Sequence, residues 1–291
     1  MHFNPYGMLH IYYLSGRLDH KTGDFGGGYL GNWEEEDTSF LFFSRPAAER
    51  IEKLLADQPH LGLLDTYQMT YEQWQGGCLE PLTIGGITLV PPWFPASDAP
   101  ADPGGIVLTL DPGLVFGSGT HPTTADCLRA LQSVFSRGTP PETVLDLGTG
   151  TGVLALAAAK LGSRRVLAVD LNPLAAHTAR RNVVANGLGS RVLAIQGRAE
   201  GFVDRKADLL LANIHFEVLD KVMAAPGFVQ KPRVILSGLL RSEARAAKTE
   251  LIRRGFRIQN TWENNGTWFT ILAASANKTV PLSTGDGRWK S

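Results

Sequence analysis

Apolar and polar positions alternate weakly at the start of the chain and strongly in its second half. From Thr143 onward, short apolar runs predict strands at Thr143–Leu147, Arg165–Val169, Arg191–Gln196, Asp208–Ala212 and Arg233–Ser237. Helix-length stretches fit between them at Gly152–Leu161, Pro173–Asn186, Phe216–Ala224 and Ser242–Arg254. Phe256–Glu263 and Thr267–Ala273 read as a terminal hairpin, because the intervening Asn265-Gly266 suits a tight turn. Such alternation implies an α/β unit: a doubly wound, mostly parallel sheet of seven strands with crossover helices on both faces.

The beginning is harder to read. Leu9–Leu14 and Thr38–Phe43 predict strands, and Asp24–Gly31, with four glycines, predicts a loop. Pro46 can open a helix over Ala47–Asp57, with Ile51, Leu54 and Leu55 on one face. Leu61–Tyr71 fits either a strand or a helix. Residues 1–73 are therefore expected to form a small α+β unit. Residues 74–110, rich in Gly and Pro, read as a connecting region with β-like pieces at Leu82–Ile84 and Ile87–Val90. The regular domain is expected over 111–274, followed by a polar, frayed tail over 275–291.

Composition narrows the class. Hydrophobic residues at 43% and charged residues at 19% suit a soluble globular protein. The longest apolar run, Val153–Ala159, is too short to span a bilayer, and the first residues lack the basic and apolar regions of a signal peptide. With only Cys78 and Cys127, far apart, reduced thiols in a cytoplasmic protein are expected, and no metal site. The net charge of zero hides an asymmetry. Residues 1–100 hold 13 acidic and 5 basic side chains, and residues 101–291 hold 15 and 23. An acidic front could steer a basic partner, although charge alone favours the reading of a solvated acidic face that keeps the protein soluble.

The chemistry-bearing motif is Val144-Leu145-Asp146-Leu147-Gly148-Thr149-Gly150-Thr151-Gly152, an apolar strand entering a glycine-rich turn before a helix. Glycines let a ligand approach the backbone closely, and a helix amino terminus offers N–H groups to a ligand carboxylate. The dinucleotide fingerprint G-x-G-x-x-G, counted from Gly148, requires glycine at position 153, which is Val. The spacing G-x-G-x-G after an acidic residue fits S-adenosylmethionine better. Asp170, 22 residues after Gly148 at the end of the next strand, is placed to bind both ribose hydroxyls.

These residues, with Leu110-Asp111-Pro112-Gly113-Leu114-Val115-Phe116-Gly117-Ser118-Gly119-Thr120-His121-Pro122-Thr123-Thr124 before them, resemble the ribosomal protein L11 methyltransferase family of the PrmA type. Trp93, Ala212-Asn213-Ile214 and Ile235-Leu236-Ser237-Gly238 extend the resemblance over about residues 74–273. It implies a Rossmann-like class I methyltransferase fold, S-adenosyl-L-methionine as methyl donor, and protein amino groups, lysine or amino-terminal, as acceptors, with a basic ribosomal protein among them. By position it implies that Thr124, Gly148, Gly150 and Asp170 bind the cofactor. Phe116 and His121 are expected to close over it, and Asn213 to serve both cofactor and catalysis at the end of the fourth strand. Without the resemblance, Thr124 reads as a first-turn helix residue, His121 as a turn residue and Asn213 as a helix cap.

Two departures bear on the acceptor. The first 70 residues do not clearly match the family's target-recognition domain, and His215-Phe216-Glu217 stand where the family has small residues, near the expected acceptor entrance. Two other readings stay open: a methyltransferase for another protein lysine or a small molecule, and a module that binds S-adenosylmethionine without catalysis. Direct nucleic-acid binding is not expected. The amino-terminal part is acidic, the basic residues further on are spread, and Asn-Ile differs from the Asn-Pro-Pro-aromatic signature of many base-amine methyltransferases.

Overall fold

The computed structural model describes residues 6–19, 25–35, 37–77, 79–95, 104–136 and 139–276. Cys78 and the tail beyond residue 276 lie outside the described residues. The chain forms two units, Met1–Glu80 and Pro81–Ser291.

In the first unit, strands β1 (Met8–Ser15), β2 (Tyr29–Glu35), β3 (Thr38–Phe43) and β4 (Gly62–Thr70) form an antiparallel sheet in the order β2-β3-β1-β4. Helix α1 (Ala48–Asp57) buries Ile51 and Leu54 against Tyr12, Leu14, Leu41 and Phe43 on one face. Its entry is fixed from the sheet: the Tyr12 hydroxyl accepts the Ala47 N–H at 2.8 Å. The short helix α2 (Tyr71–Gln75) starts with a reciprocal capping box between Thr70 and Gln73. The expected loop over 24–31 gives way to β2 at Tyr29, because glycines there do not prevent pairing with β3 across a bulge at Tyr29/Gly31. The ambiguous stretch 61–71 resolves as β4, whose side chains are mostly exposed and so leave little hydrophobic alternation to read.

The second unit begins with a three-stranded sheet of β5 (Leu82–Ile84), β6 (Ile87–Val90) and β7 (Ile106–Thr109). Ile84, Ile87, Leu89 and Leu108 join the main core, so these three strands of the Gly/Pro-rich stretch are packed structure. Helix α3 (Pro122–Ser136) follows. Then come β8 (Thr143–Leu147), α4 (Val153–Leu161), β9 (Arg165–Asp170), α5 (Pro173–Ala185), β10 (Val192–Gln196), β11 (Leu209–Asn213), α6 (Phe216–Ala224), β12 (Arg233–Leu239), α7 (Arg241–Arg253), β13 (Phe256–Asn264) and β14 (Trp268–Ser275).

Seven of these strands form one sheet in the order β10-β9-β8-β11-β12-β14-β13, with β14 antiparallel to both neighbours. The β13–β14 turn holds Asn265 and Gly266 at φ 50° and 67°, the left-handed pair a tight hairpin needs. Helix α4 is buried on every side, Val153 to Ala159 without interruption, which is why the longest apolar run of the chain lies there. Strand order reverses between β8 and β11. Ligands of open α/β sheets bind at the carboxyl ends of the strands beside such a reversal.

Candidate active site

The carboxyl end of β8 turns through Gly148–Gly152 into α4. Gly148 and Gly150 have φ of 71° and 56°, which side chains rarely adopt. Space excludes a side chain as firmly: a Cβ on Gly150 would sit 2.3 Å from the Phe116 carbonyl oxygen, and one on Gly148 would sit 2.0 Å from Ile214 Cγ2. The loop is thus pressed between the segment before α3 and the end of β11.

Its N–H groups are largely spent within the protein. Gly148 and Thr149 both donate to the Val169 carbonyl, at 2.8 and 3.0 Å, and Thr151 donates to Phe116 at 3.0 Å. Gly150 donates to Asp170 Oδ2 at 2.9 Å. The loop's own donors are therefore committed within the protein, and at the start of α4 the Val153 N–H reaches the Thr151 hydroxyl at 3.3 Å. Tight turn geometry consumes those donors, and the loop contributes shape instead.

Asp170 closes β9. Its second oxygen, Oδ1, accepts the Asn172 N–H at 2.9 Å. Burial pushes its carboxyl above the usual range, against the opposing pull of the Gly150 and Asn172 N–H groups. Asp146, fully buried beneath the loop, accepts the Thr149 hydroxyl at 2.5 Å. Burial pushes it up to about 7, with the Asp170 charge adding to the rise.

Before α3, Phe116 and Gly117 are stitched to the glycine loop: Thr151 also donates its hydroxyl to the Gly117 carbonyl, at 2.8 Å. Phe116 is 46% exposed. Its ring meets His121 edge-on at 5.2 Å, and His121 meets Trp268 of β14 at 5.1 Å. The His121 Nδ1 pairs with the Thr123 hydroxyl at 2.7 Å, and burial lowers the imidazole pKa. Thr124, in the first turn of α3, is 1% exposed, and its hydroxyl has no hydrogen-bond partner. Such a group is costly unless something else satisfies it. Asn213 ends β11, half-buried and in register with Ser237 of β12.

The residues read from the sequence thus gather around one rim: Gly148, Gly150 and Asp170 in direct contact, Phe116 against the loop, and His121 and Thr124 on the following helix start. His215 stands at the start of α6 without a side-chain capping bond and is exposed, as is Glu217, while Phe216 packs partly against the core. Two contributors escaped the sequence reading. Trp268 carried no signal beyond its strand. Asn182 of α5, 1% exposed, bonds the Asp111 carbonyl and the Thr151 carbonyl, both at 2.8 Å, and accepts the Asp111 N–H at 2.9 Å. Asn186, one turn on, pairs with both backbone groups of Thr109 at 3.0 and 2.7 Å. Amide side chains four apart at the end of an otherwise apolar helix face were the available sign of this clamp.

The family model of ribosomal protein L11 methyltransferase (PrmA) matches residues 47–276. The chain belongs to that family. A ribosomal protein L11 methyltransferase of Alkaliphilus oremlandii is 32% identical over 272 residues, 88% of this chain and 85% of the relative. One from Pelotomaculum thermopropionicum is 35% identical over 240 residues, 78% and 75% of the two chains. The match to the Halalkalibacterium halodurans relative, 37% identical over 194 residues, spans 66% of this chain but only 60% of that protein. The crystal structure of a ribosomal protein L11 methylase from Lactobacillus delbrueckii subsp. bulgaricus aligns with a TM-score of 0.58 at 28% identity, covering 67% of this chain and 98% of that one. The seven-stranded sheet is thus the Rossmann-like methyltransferase fold of this family. Among the described residues, no helix is long and apolar enough to cross a membrane, and no cluster of His, Cys, Asp and Glu could hold a metal ion.

Proposed function

We propose that this chain is an S-adenosyl-L-methionine-dependent protein methyltransferase acting on lysine or amino-terminal amines of a ribosomal protein, the acceptor class named for its relatives. The observation that carries the reading is the rim at the β8/β11 reversal, where a cradle closed to any Cβ adjoins a carboxylate and a buried hydroxyl without a partner. Those features fit the cofactor. Gly148 and Gly150 hold the left-handed turn that shapes the cradle. Asp170 has acceptor capacity left for ribose hydroxyls, and Thr124 offers the donor that the loop itself no longer has.

When bound, S-adenosylmethionine supplies an electrophilic methyl group on a sulfonium. The protein's own task is to hold an amine in line with it, so orientation carries much of the acceleration. Asn213 orients the acceptor amine through its amide oxygen. Phe116, His121 and Trp268 exclude water at the entrance, and a dry pocket favours the neutral amine that must attack. Burial lowers the His121 imidazole pKa there, which favours its uncharged form.

The test is transfer of labelled methyl to purified ribosomal proteins, with ribosomal protein L11 as the first acceptor. Binding of the cofactor without transfer to any protein would remove this function and favour a non-catalytic module. Asp170→Ala sharpens the site: loss of charge-assisted hydrogen bonds worth about 1.5–3 kcal/mol should weaken cofactor binding about 10- to 150-fold by calorimetry. Unchanged affinity would sink that residue's assignment.

A further inference from the structure

One surface of the first unit has no part in the transfer chemistry. Strand register aligns Trp33 of β2 with Phe40 of β3, Phe40 with Tyr13 of β1, and Tyr13 with Asp65 of β4. A single row therefore crosses all four strands. Their neighbours Tyr12 and Leu41 pack with α1, so the alternation of side chains puts this row on the opposite face. Tyr13 and Phe40 stack with centroids 4.3 Å apart and planes 10° from parallel.

Further along that face, Ile11 and Phe42 are buried, and Trp74 of α2 lies edge-on to Phe42 at 5.1 Å. The row itself is only half-buried, and Asp65 is exposed. Tyr67, the next residue of β4 on this face, is 42% exposed, and its phenol hydrogen-bonds to Asp65. Aromatic side chains held open on a rigid sheet are suited to binding, since they offer large contact area at little cost in conformational freedom.

Two partners use such a row: nucleic-acid bases, which stack, and cationic side chains, which sit against a ring face. Charge separates them. Residues 1–80 hold twelve acidic and five basic side chains, so a phosphate backbone is repelled and a basic polypeptide attracted. We propose that the Trp33–Phe40–Tyr13–Asp65 row docks a Lys- or Arg-rich segment of the protein acceptor. A cationic head sits against the Tyr13 ring, with Asp65, opposite it on β4, as its counter-ion. This rests on the protein-methyltransferase reading and specifies how the acceptor is gripped.

The test uses the full chain. Calorimetry with decalysine is run on the wild type, Tyr13→Phe, Tyr13→Ala and Asp65→Lys, and initial rates of methyl transfer to ribosomal protein L11 are measured on the same proteins. Wild type and Tyr13→Phe should bind decalysine alike, and Tyr13→Ala and Asp65→Lys at least tenfold more weakly. For both weak binders, KM for the protein acceptor should rise at least fivefold while kcat and cofactor affinity stay within twofold. Asp65 is exposed, so Asp65→Lys keeps the fold whatever Tyr13→Ala does to the sheet. Equal decalysine affinity in wild type and Asp65→Lys overturns the surface. So does a decauridylate RNA affinity that falls in Tyr13→Ala while decalysine affinity does not. Binding of decalysine through this row without methylation of any ribosomal protein supports the surface and removes the acceptor assignment instead.

Discussion

The two units solve opposite problems with a sheet. The seven-stranded sheet is covered on both faces, its central strands are almost entirely buried, and the proposed cofactor site lies at the carboxyl ends of β8, β9 and β11 with the start of α3 beside them. The four-stranded sheet is covered by α1 on one face, while the other keeps a half-exposed aromatic row, and the edge strand β4 is mostly exposed. A rigid, buried scaffold holds reacting groups in fixed geometry. A sheet open on one side presents a surface to another macromolecule. Under the proposed function this difference separates transfer from choice of acceptor, and the division can be attacked from either side.

The largest expected effect comes from removing residues 1–80. Methyl transfer to a ribosomal protein should be abolished, while cofactor binding by the remaining unit stays within a few fold of the full chain. Full protein methylation by the truncated chain would end the division of labour. From the other side, Gly150→Val inserts branched carbon where even a Cβ lies 2.3 Å from the Phe116 carbonyl. The left-handed backbone adds about 1–2 kcal/mol of strain. Cofactor affinity should fall by about 100-fold or more in a calorimetric titration, with the first unit's near-ultraviolet circular dichroism contribution retained.

The same contrast explains what could be read in advance. Strands buried on both faces appear as continuous apolar runs, so Thr143–Leu147 coincides with β8; Phe216–Ala224 coincides with helix α6, and the other bounds in this unit shift by only a residue or two. Gly148, Gly150 and Asp170 were legible because backbone conformation and strand-end position dictate residue type. β4 was ambiguous because an exposed edge strand needs no alternation, and β2 was hidden by glycines that a bulge accommodates. β7 escaped because four residues between Gly/Pro-rich stretches carry too little pattern. The Asn182 clamp and the contact of Trp268 with His121 depend on which segments meet in space, and no local spacing encodes that.

A smaller effect probes the buried floor of the site through pH. In the folded unit Asp146 holds its proton up to about 7, whereas in the unfolded chain a carboxyl releases it near its ordinary value of 3.8. The folded state therefore binds more protons between those limits, and this residue's contribution to stability is lost as pH rises through that window and is level above it. Asp146→Asn should remove that dependence. Chemical denaturation from pH 4 to 7 should show the variant gaining on the wild type by up to about 4 kcal/mol. A constant difference across the range would mean that Asp146 is ionised throughout.

The smallest effect is the most discriminating, because its sign differs between folding and binding. Thr124 buries a hydroxyl with no partner, and an unsatisfied polar group costs about 1–3 kcal/mol. Thr124→Val keeps the shape and removes the polar atom. Without cofactor the variant should be more stable by about 1 kcal/mol, a rise in Tm of about 2–4 °C for a unit of this size. With cofactor that gain should be largely cancelled: a neutral hydrogen bond worth about 0.5–1.5 kcal/mol is lost, so affinity falls about two- to tenfold. A variant that loses stability in both conditions would make the hydroxyl a structural group. One that gains stability with cofactor affinity unchanged would leave it without a role in the cradle. Only the crossed result assigns the cost of the buried hydroxyl in the free protein to its use in the bound one.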